Sequence, residues 1–132
     1  MPAQILVLLT WTTRLRAPLV GSEANALLAR LLPAIARRHG ADTIALGIVP
    51  DHVHHLLRLP LQIDIPRLVQ GLKGASARIT NREGKGGKER LRWANGYDLR
   101  SIGLKELHRA IAYVERQAEH HGVRRDGWLF PG

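Results

Sequence analysis

The stretch Thr43–Pro60, TIALGIVPDHVHHLLRLP, predicts a β-hairpin around which the rest of the chain can be arranged. Two runs rich in apolar and β-branched residues, Thr43–Val49 and His52–Leu59, are separated only by the turn-forming pair Pro50-Asp51. Because the separation is so short, the two runs must be antiparallel neighbours in one sheet. Pro60 ends the second run, since its ring removes the backbone donor that a further ladder bond needs.

Outside the hairpin, hydrophobic periodicity and capping residues predict further strands and helices. The predicted strands are Ile5–Trp11 and a short pair, Leu91–Trp93 and Tyr97–Ile102. The predicted helices run from an N-cap at Ser22 to a C′ glycine at Gly40, from an N-cap at Asp64 to the loop at Asn81, and from Leu104 to His121. The resulting order, β-α-β-β-α-β(β)-α, predicts one α+β domain over residues 1–132, a ferredoxin-like (RRM-like) antiparallel sheet with helices packed on it.

The composition limits both the chemistry and the location of the protein. None of the 132 residues is a cysteine, which excludes disulfides, cysteine-based zinc sites and a thiol nucleophile. The longest apolar run, Ile5–Leu9, is far shorter than a membrane span, and the N-terminus lacks the pattern of a secretion signal. We therefore expect a cytoplasmic protein that does not enter the membrane.

Net charge is the most informative bulk property. Twenty Lys and Arg residues against eleven Asp and Glu give a net charge of +9, and the pI is near 11.2. An excess of this size attracts polyanions, so nucleic acid is the expected partner. The alternative is a basic surface that serves only to keep the protein in solution.

Two of the histidines in the hairpin are predicted to project from the same face of the sheet. Side chains alternate along a strand, so His52 and His54 point together, with Cα atoms roughly 7 Å apart at about 3.3 Å per residue. His55 points to the opposite face with Val53 and Leu57. The pair either meets on one metal ion, with further ligands from elsewhere, or consists of two histidines held by ordinary hydrogen bonds.

The last predicted helix carries an apolar stripe and two polar neighbours. Residues at helical spacing define the expected core face: Leu104, Leu107, Ile111, Val114 and Ala118. Tyr113 and Gln117 are i and i+4, so their side chains are neighbours, on a face about 120° from the centre of that stripe. His120 lies on the same side. Tyr113 is therefore expected to be either a half-exposed surface ring or a functional residue, rather than an ordinary core tyrosine of this helix.

Together these features resemble the HUH-superfamily single-tyrosine transposases, the small DNA transposases of simple insertion sequences and their REP-associated relatives. HUH means histidine-hydrophobe-histidine, here His52-Val53-His54. The resemblance covers nearly the whole chain and rests on these segments in this order: Trp11–Arg16, Pro50–His54, Leu72–Arg78, Trp93–Tyr97 and Tyr113–Gln117. Each motif alone is a weak signal, whereas all of them in the right order are a strong one.

The resemblance implies cleavage and rejoining of single-stranded DNA with hairpin ends. It implies that His52, His54 and Gln117 hold Mg²⁺ or Mn²⁺, and that Tyr113 attacks a phosphate to leave a 5′-phosphotyrosine and a free 3′-OH. Two imidazoles and an amide oxygen suit Mn²⁺ better than Mg²⁺. The resemblance also implies a homodimer, in which the tyrosine acts either in its own subunit or in the partner's site.

The resemblance gives the basic residues a matching role, which is to follow the phosphates of a hairpin and its single-stranded flank. They cluster near the first-strand exit, the second helix and the glycine-rich loop: Arg14, Arg16, Lys73, Arg78, Arg82, Lys85, Lys88, Arg90 and Arg92. Trp93 and Tyr97 either stack on bases or pack in the core. The loop Asn81–Arg90 departs from the family's pattern, as does His55, which stands where the family usually has an aliphatic residue.

Two other functions remain open from the sequence. A DNA- or RNA-binding module on the same frame, inactive or domesticated, fits the charge equally well but does not need the histidine pair, Tyr113 and Gln117 together. A site-specific nicking enzyme of the same superfamily, serving replication or plasmid transfer, is expected to be larger and to carry an appended domain.

Overall fold

The structure of the chain, a computed structural model, describes residues 4–119. Within them, strands and helices follow the order β1-α1-β2-β3-α2-β4-α3. The strands are β1 (Gln4–Thr12), β2 (Asp42–Val49), β3 (His52–Pro60) and β4 (Asp98–Ser101). The helices are α1 (Ser22–Arg38), α2 (Ile65–Arg82) and α3 (Leu107–Glu119), with short 3-10 turns at Arg14–Arg16 and Leu104–Glu106. The predicted helix end at His121, and His120 itself, lie outside the described residues.

The strands form an antiparallel sheet in the order β2-β3-β1-β4. β2 and β3 form the predicted hairpin, in which Val49 lies opposite His52. β1 lies on the other side of β3, with Thr12 opposite His52, and pairs with the short β4 along its outer edge. This sheet with helices packed on it confirms the predicted α+β class. Because β1 and β3 are antiparallel, the end of β1 lies beside the start of β3.

Helices cover both faces of the sheet, and each face has its own apolar core. α1 and α2 cover one face, where Val53 of β3 packs in the same cluster as Leu32 and Leu72. α3 covers the other face, where Leu56 packs in the same cluster as Val114. Because both faces are covered, nearly every residue of β3 is buried. None of the helices within residues 4–119 has the length and apolar content needed to cross a membrane.

The helix ends agree with most of the capping predictions. Asp64 caps α2, because its carboxylate accepts a hydrogen bond at 3.1 Å from the backbone N–H three residues later. Gly40 follows the end of α1 with a φ of +84°, a conformation that favours glycine. The N-cap of α1 is Gly21 rather than the predicted Ser22, because the first helical hydrogen bond runs from the N–H of Asn25 to the Gly21 carbonyl at 2.8 Å.

The region before β4 differs from the predicted pair of short strands. Of the segment Leu91–Trp93, only Trp93 pairs within the described chain, in an isolated bridge to Thr13. The reason is that Asn81 takes both backbone groups of Leu91, donating to its carbonyl at 2.9 Å and accepting from its N–H at 2.8 Å. The N–H of Leu91 is therefore unavailable to a strand partner, and its carbonyl is already held by a side chain. The second predicted strand is present but shorter, as β4.

The last helix begins later than predicted. Leu104–Glu106 is a separate 3-10 turn, closed by a hydrogen bond from the N–H of Glu106 to the carbonyl of Gly103 at 2.9 Å. Leu104 is 80% exposed, so it does not belong to the core stripe that was predicted for this helix. α3 starts at Leu107 and packs mainly across β2 and β3.

Candidate functional site

His52 and His54 lie side by side on the face of the sheet that α3 covers. Both are buried, with 5% and 2% of their surfaces exposed. Their ring centroids are 4.7 Å apart, and the ring planes are nearly perpendicular at 83°. The alternation of side chains along β3 produces this pairing and leaves His55 on the opposite face.

His52 is oriented by the residue before it. The Nδ1 atom of His52 lies 2.6 Å from a carboxylate oxygen of Asp51. Because a carboxylate oxygen only accepts, Nδ1 carries the proton and the lone pair of Nε2 is left for another partner. Burial lowers the pKa of His52, and the hydrogen bond to Asp51 partly offsets this effect. The sequence pattern alone predicted no role for Asp51 beyond the turn, although its position next to the histidine pair was a usable signal.

His54 is held by a residue of the neighbouring strand. Its Nδ1 atom lies 3.0 Å from the hydroxyl of Thr10, which is directly opposite His54 in the β1–β3 register. Burial lowers the pKa of His54 to about 3, and the charges of His52 and Arg16 act in the same direction. The imidazole is therefore neutral at pH 7, the state in which histidine binds a metal ion.

Tyr113 lies on the buried face of α3, so its predicted place on a face apart from the core was wrong, although Leu107, Ile111 and Val114 of the predicted stripe do pack in the core. Among the described side chains of α3, those at i, i+3, i+4 and i+7 are buried: Ala110, Tyr113, Val114 and Gln117. Tyr113 is only 3% exposed, and its ring centroid lies 5.4 Å from that of His54. It is therefore neither a half-exposed surface ring nor on a face apart from the core. The prediction failed because it assumed that the core face was the most apolar one, whereas α3 turns a phenol and an amide inward.

Gly47 allows α3 to approach the sheet closely enough for this contact. It lies on β2, directly opposite His54 in the register. A Cβ atom at this position would collide with the backbone carbonyl oxygen of Val114. Because Val114 follows Tyr113 in the helix, the missing side chain at Gly47 lets the phenol reach the imidazoles. A lone glycine inside an apolar strand is a sequence signal for such a close approach, and the sequence-based prediction did not use it.

Gln117 adds a second polar group from the next turn of α3. It follows Tyr113 by one helical turn and is 2% exposed. Among the described residues, its side-chain nitrogen has no hydrogen-bond partner. A buried amide group left without a partner costs about 1–3 kcal/mol. A hydrogen-bond acceptor from outside the chain, such as a phosphate oxygen, would satisfy this donor and supply a reason to keep the side chain here.

The polar groups in this cluster fit a divalent metal ion that accepts nitrogen and oxygen ligands. Two neutral imidazoles and a carboxamide oxygen are compatible with Mn²⁺, and Zn²⁺ can compete for them. Residues 4–119 contain no cluster of three or more His, Cys, Asp or Glu side chains placed to hold a metal. A metal at this place therefore depends on Gln117 as the third protein ligand and on water or substrate for its remaining positions.

The basic side chains predicted to bind nucleic acid differ in their exposure to solvent and in their hydrogen bonds within the chain. Exposed side chains belong to Arg14, Arg16, Arg78, Arg82, Lys85, Lys88, Arg90 and Arg92. Lys73 is different, because its Nζ donates to the backbone carbonyls of Ala94 at 2.6 Å and Gly96 at 2.8 Å. Burial lowers the pKa of Lys73. Its ammonium group therefore holds the Ala94–Gly96 turn against α2.

The exit of β1 brings several of these cations to the border of the imidazole pair. The backbone N–H of Arg14 donates to the carbonyl of Arg92 at 2.9 Å, which joins the two segments. Arg16 pairs with Asp51 at 3.4 Å, and Asp51 in turn holds His52. A phosphate bound at the exit of β1 would therefore lie next to the residue that orients His52.

Trp93 and His55 belong to the opposite face of the sheet and have structural partners there. The indole N–H of Trp93 donates to the hydroxyl of Ser76 at 3.0 Å, and its ring packs edge-on against Trp11 with centroids 5.8 Å apart. His55 is fully buried, with Nε2 2.8 Å from the hydroxyl of Thr43. Burial lowers the pKa of His55 to about 3. These contacts favour core packing for Trp93 and a core role for His55.

A phenol on a helix, facing a pair of imidazoles on an antiparallel sheet, is the arrangement expected of a single-tyrosine transposase. A family model described as "Transposase IS200 like" matches residues 3–117. The chain therefore belongs to the IS200-like transposase family, which confirms the resemblance seen in the sequence.

Relatives and solved structures agree with this family. The ISDra2 transposase TnpA of Deinococcus radiodurans is 40% identical over 70 residues, which are 53% of this chain and 50% of that protein. The match thus spans about half the length of this curated relative. A crystal structure from Deinococcus radiodurans R1, described as that of a transposase, has a TM-score of 0.69 and 28% identity, covering 93% of this chain and 95% of that one. A REP-associated tyrosine transposase bound to a REP hairpin has a TM-score of 0.66 and 18% identity, covering 89% and 68%, and supports the fold alone.

Proposed function

We propose that this protein is a metal-dependent single-stranded DNA transposase that cleaves and rejoins strands through a 5′-phosphotyrosine intermediate. The observation that carries the proposal is the contact of the Tyr113 ring with His54, beside His52 and in the same buried layer as the Gln117 amide. A core that only stabilised the fold would not need a phenol ring against two adjacent imidazoles, with a buried amide one helical turn further along α3. Membership of the IS200-like transposase family supports the same function.

The proposed metal ligands are His52, His54 and Gln117, and the proposed ion is Mg²⁺ or Mn²⁺. When bound, the ion polarises a phosphate oxygen and offsets the negative charge that builds up during attack. The protein keeps the two imidazoles neutral by burying them and fixes their orientation from Nδ1. Asp51 does this for His52, and Thr10 does it for His54.

Tyr113 is the proposed nucleophile. Its phenol oxygen forms a bond to phosphorus and gives up its proton, while the bond from phosphorus to the 3′ oxygen breaks and that oxygen takes up a proton. Rejoining is the reverse: a 3′-OH attacks the phosphotyrosine and the phenol is released. The covalent phosphotyrosine keeps the bond energy, so no nucleoside triphosphate is needed. A phenol has a pKa of about 10, so it requires help from a nearby cation or base to react at neutral pH.

The proposed substrate is single-stranded DNA with hairpin ends. A net charge of +9 suits a polyanion, and exposed arginines lie at the β1 exit beside the imidazole pair. A REP-associated tyrosine transposase of the same fold has been solved with a REP hairpin bound. We also propose a homodimer, as the family resemblance implies. The contact between Tyr113 and His54 of one chain supports cleavage within a single subunit.

The test is a covalent-product gel. The protein, Mn²⁺ and end-labelled single-stranded DNA from the flanks of its own gene are mixed, denatured and separated. We expect a labelled band at the mass of protein plus DNA, and we expect Tyr113→Phe to remove it while DNA binding, measured by fluorescence anisotropy, stays within about twofold. Tyr97→Phe is the matched control, because Tyr97 is the other of the chain's two tyrosines and is 43% exposed.

Two results would contradict the proposal. A covalent band that persists with Tyr113→Phe would rule out this tyrosine as the nucleophile. Hairpin binding without any band, in Mg²⁺ and Mn²⁺ alike, would support the alternative of an inactive binding module.

A mixing experiment tests the site assignment in the proposed dimer. Tyr113→Phe and His54→Ala are each expected to be inactive, and their mixture is expected to stay inactive if the tyrosine acts in its own subunit. Recovered cleavage in the mixture would show that the tyrosine acts in the partner's site. Sedimentation of the wild-type protein, with and without DNA, gives the number of copies independently.

A further inference from the structure

The turn at the exit of β1 holds two consecutive residues in the left-handed backbone region. Leu15 has φ of 56° and ψ of 21°, and Arg16 has φ of 55°. This region is disfavoured for residues that carry a Cβ atom, so the neighbouring structure must impose it. Thr13, which is fully buried, does so: its hydroxyl donates to the carbonyl of Ala17 at 2.6 Å, and its N–H donates to the carbonyl of Asp51 at 2.9 Å.

The strained turn keeps an apolar side chain in solvent between two cations. Leu15 is 88% exposed, and its chain neighbours are Arg14 and Arg16. A single exposed leucine is ordinary on a protein surface. A leucine that is exposed by a disfavoured backbone conformation, and flanked by arginines, requires a reason beyond the fold.

Two grooves meet at this turn. The larger, of about 670 Å³, is bordered on its far side by Trp93, Ala94 and Asn95. The smaller, of about 380 Å³, is bordered on its far side by Leu19, Glu89 and Arg90. Arg14, Leu15 and Arg92 line both grooves and therefore form the ridge between them. The ridge carries two positive charges, and Glu89 is the acidic residue lining the smaller groove.

The far wall of the larger groove is held rigidly. The N–H of Ala94 donates to the carbonyl of Thr12 at 2.9 Å, and the ammonium of Lys73 holds the carbonyls of Ala94 and Gly96. Asn95, at the tip of this turn, is exposed toward solvent. The ridge and this wall are therefore both fixed to β1, and the groove between them has a defined width.

We propose that Leu15 is a wedge that stacks on the base at the junction between a DNA hairpin stem and its single-stranded flank, while the two strands leave along the two grooves. The inference rests on the proposed function, because it assumes a hairpin DNA substrate. Apolar side chains inserted at a base step replace the stacking that the DNA loses there. Arg14 and Arg92, on either side of the wedge, neutralise phosphates of the diverging strands. Arg16, the residue after the wedge, pairs with Asp51, which holds His52, so the flank would leave toward the candidate active site.

The test compares DNA ligands in a background that cannot cleave. Tyr113→Phe protein is titrated with a hairpin bearing a single-stranded flank and with the same hairpin ending flush, and 2-aminopurine at the junction reports stacking. Leu15→Ala is expected to weaken binding of the flanked hairpin about tenfold and to leave the flush hairpin within about twofold. The fluorescence change of the junction base on binding is expected to be lost.

Two variants separate the wedge from effects on folding. Leu15→Gly removes the side chain and also suits the positive φ, so it is expected to raise the melting temperature while losing the preference for the flanked hairpin. Leu61→Ala is the matched control, because Leu61 is also exposed, at 60%, but follows the opposite end of β3. Equal preference for the flanked hairpin in wild-type and both Leu15 variants would overturn the wedge, as would an equal loss in Leu61→Ala.

The salt dependence of binding distinguishes the wedge from the cations beside it. Arg14→Ala and Arg92→Ala are each expected to reduce the slope of log affinity against log salt by about 1, whereas Leu15→Ala is expected to leave the slope unchanged. A changed slope in Leu15→Ala would overturn the proposal. The covalent-product gel is run separately, so loss of the wedge effect and loss of tyrosine-dependent cleavage are read from different measurements.

Discussion

His54 and His55 are consecutive in the chain, but they lie on opposite faces of one sheet and have different neighbours. Both are buried, and burial lowers the pKa of each to about 3. His55 contacts the hydroxyl of Thr43 and packs near the ring of Trp11. His54 has a second imidazole and the Tyr113 phenol ring beside it. Burial and a lowered pKa are therefore not enough to identify a functional histidine, whereas the chemistry of its neighbours is informative.

The two faces also differ in how their helices approach the sheet. On the α1 and α2 face, large apolar side chains such as Leu28 and Leu72 fill the space between helix and strand. On the α3 face, Gly47 has no Cβ atom, so the backbone of α3 can lie directly against β2. The first arrangement buries apolar surface, and the second positions a phenol.

The largest expected effect separates the two histidines. His54→Ala is expected to reduce the rate of covalent product formation by more than about 100-fold, because it removes a proposed metal ligand. His55→Leu is expected to keep the rate within a few-fold, and to lower the free energy of unfolding by about 1–3 kcal/mol, because the Thr43 hydroxyl loses its partner. Single-turnover gels and urea denaturation measure the two quantities. Similar rate losses in both variants would remove the distinction between the faces.

The second prediction compares two glycines with crowded surroundings. Gly47→Ala is expected to lower the free energy of unfolding by about 1–3 kcal/mol and to slow covalent product formation, though by less than His54→Ala does, because its Cβ meets the backbone of α3. Gly71→Ala places its Cβ against the imidazole end of His39, which can rotate away. Alanine also favours the helix by about 1 kcal/mol over glycine, so this variant is expected to keep or raise the free energy of unfolding. Denaturation curves for both variants, with gels for activity, check this. A neutral Gly47→Ala would mean that α3 can shift without losing its contacts.

The third prediction concerns the orientation of His52. Asp51→Ala is expected to weaken Mn²⁺ binding about 10- to 100-fold, because the Nδ1 proton loses its acceptor. Asp51→Asn is expected to lose less, since an amide oxygen still accepts that bond. Asp98→Ala is the control, because Asp98 pairs with Arg100 at 3.2 Å on β4. Titration followed by electron paramagnetic resonance measures the affinities. Unchanged affinity in Asp51→Ala would exclude a role for this carboxylate at the metal.

The last prediction is a pH dependence of stability to which both faces contribute. The folded pKa of His54 and of His55 lies below the unfolded value of 6.5, so the unfolded chain binds more protons in acid. The contribution of these neutral histidines to the free energy of unfolding is fully present above pH 6.5. It is lost as the pH falls toward 3, at about 1.4 kcal/mol per pH unit for each group. His55→Leu is expected to reduce this slope by removing one group. Urea midpoints between pH 4 and 7 measure it, and a flat profile would contradict the burial of these histidines.

The hairpin and its faces were predictable from the sequence because a strand has a period of two. The alternation of side chains along β3 is enough to assign His52 and His54 to one face and His55 to the other. Short turn residues between the two runs also left little choice of topology. These features depend on local chemistry, which a single sequence contains.

The phase of α3 was not predictable by the same means. Apolar residues alone placed Leu104 in the core and Tyr113 outside it, because the buried face of this helix contains a phenol and an amide. Their reason to be buried lies on β3, which is distant in sequence. The lone Gly47 indicated a close approach, but its partner, the backbone of α3, is distant in sequence and could not be read from the local pattern.

The grip of Asn81 on Leu91 has a consequence for how this protein can change over evolution. The two hydrogen bonds close the glycine-rich segment 82–90 at its base, and Gly86 packs against them, because a Cβ atom there would collide with the side-chain oxygen of Asn81. Doubling the length of such a closed loop costs only about 0.6 kcal/mol in chain entropy. Insertions that leave Gly86 in place can therefore add or remove surface cations in this segment at little cost to the sheet.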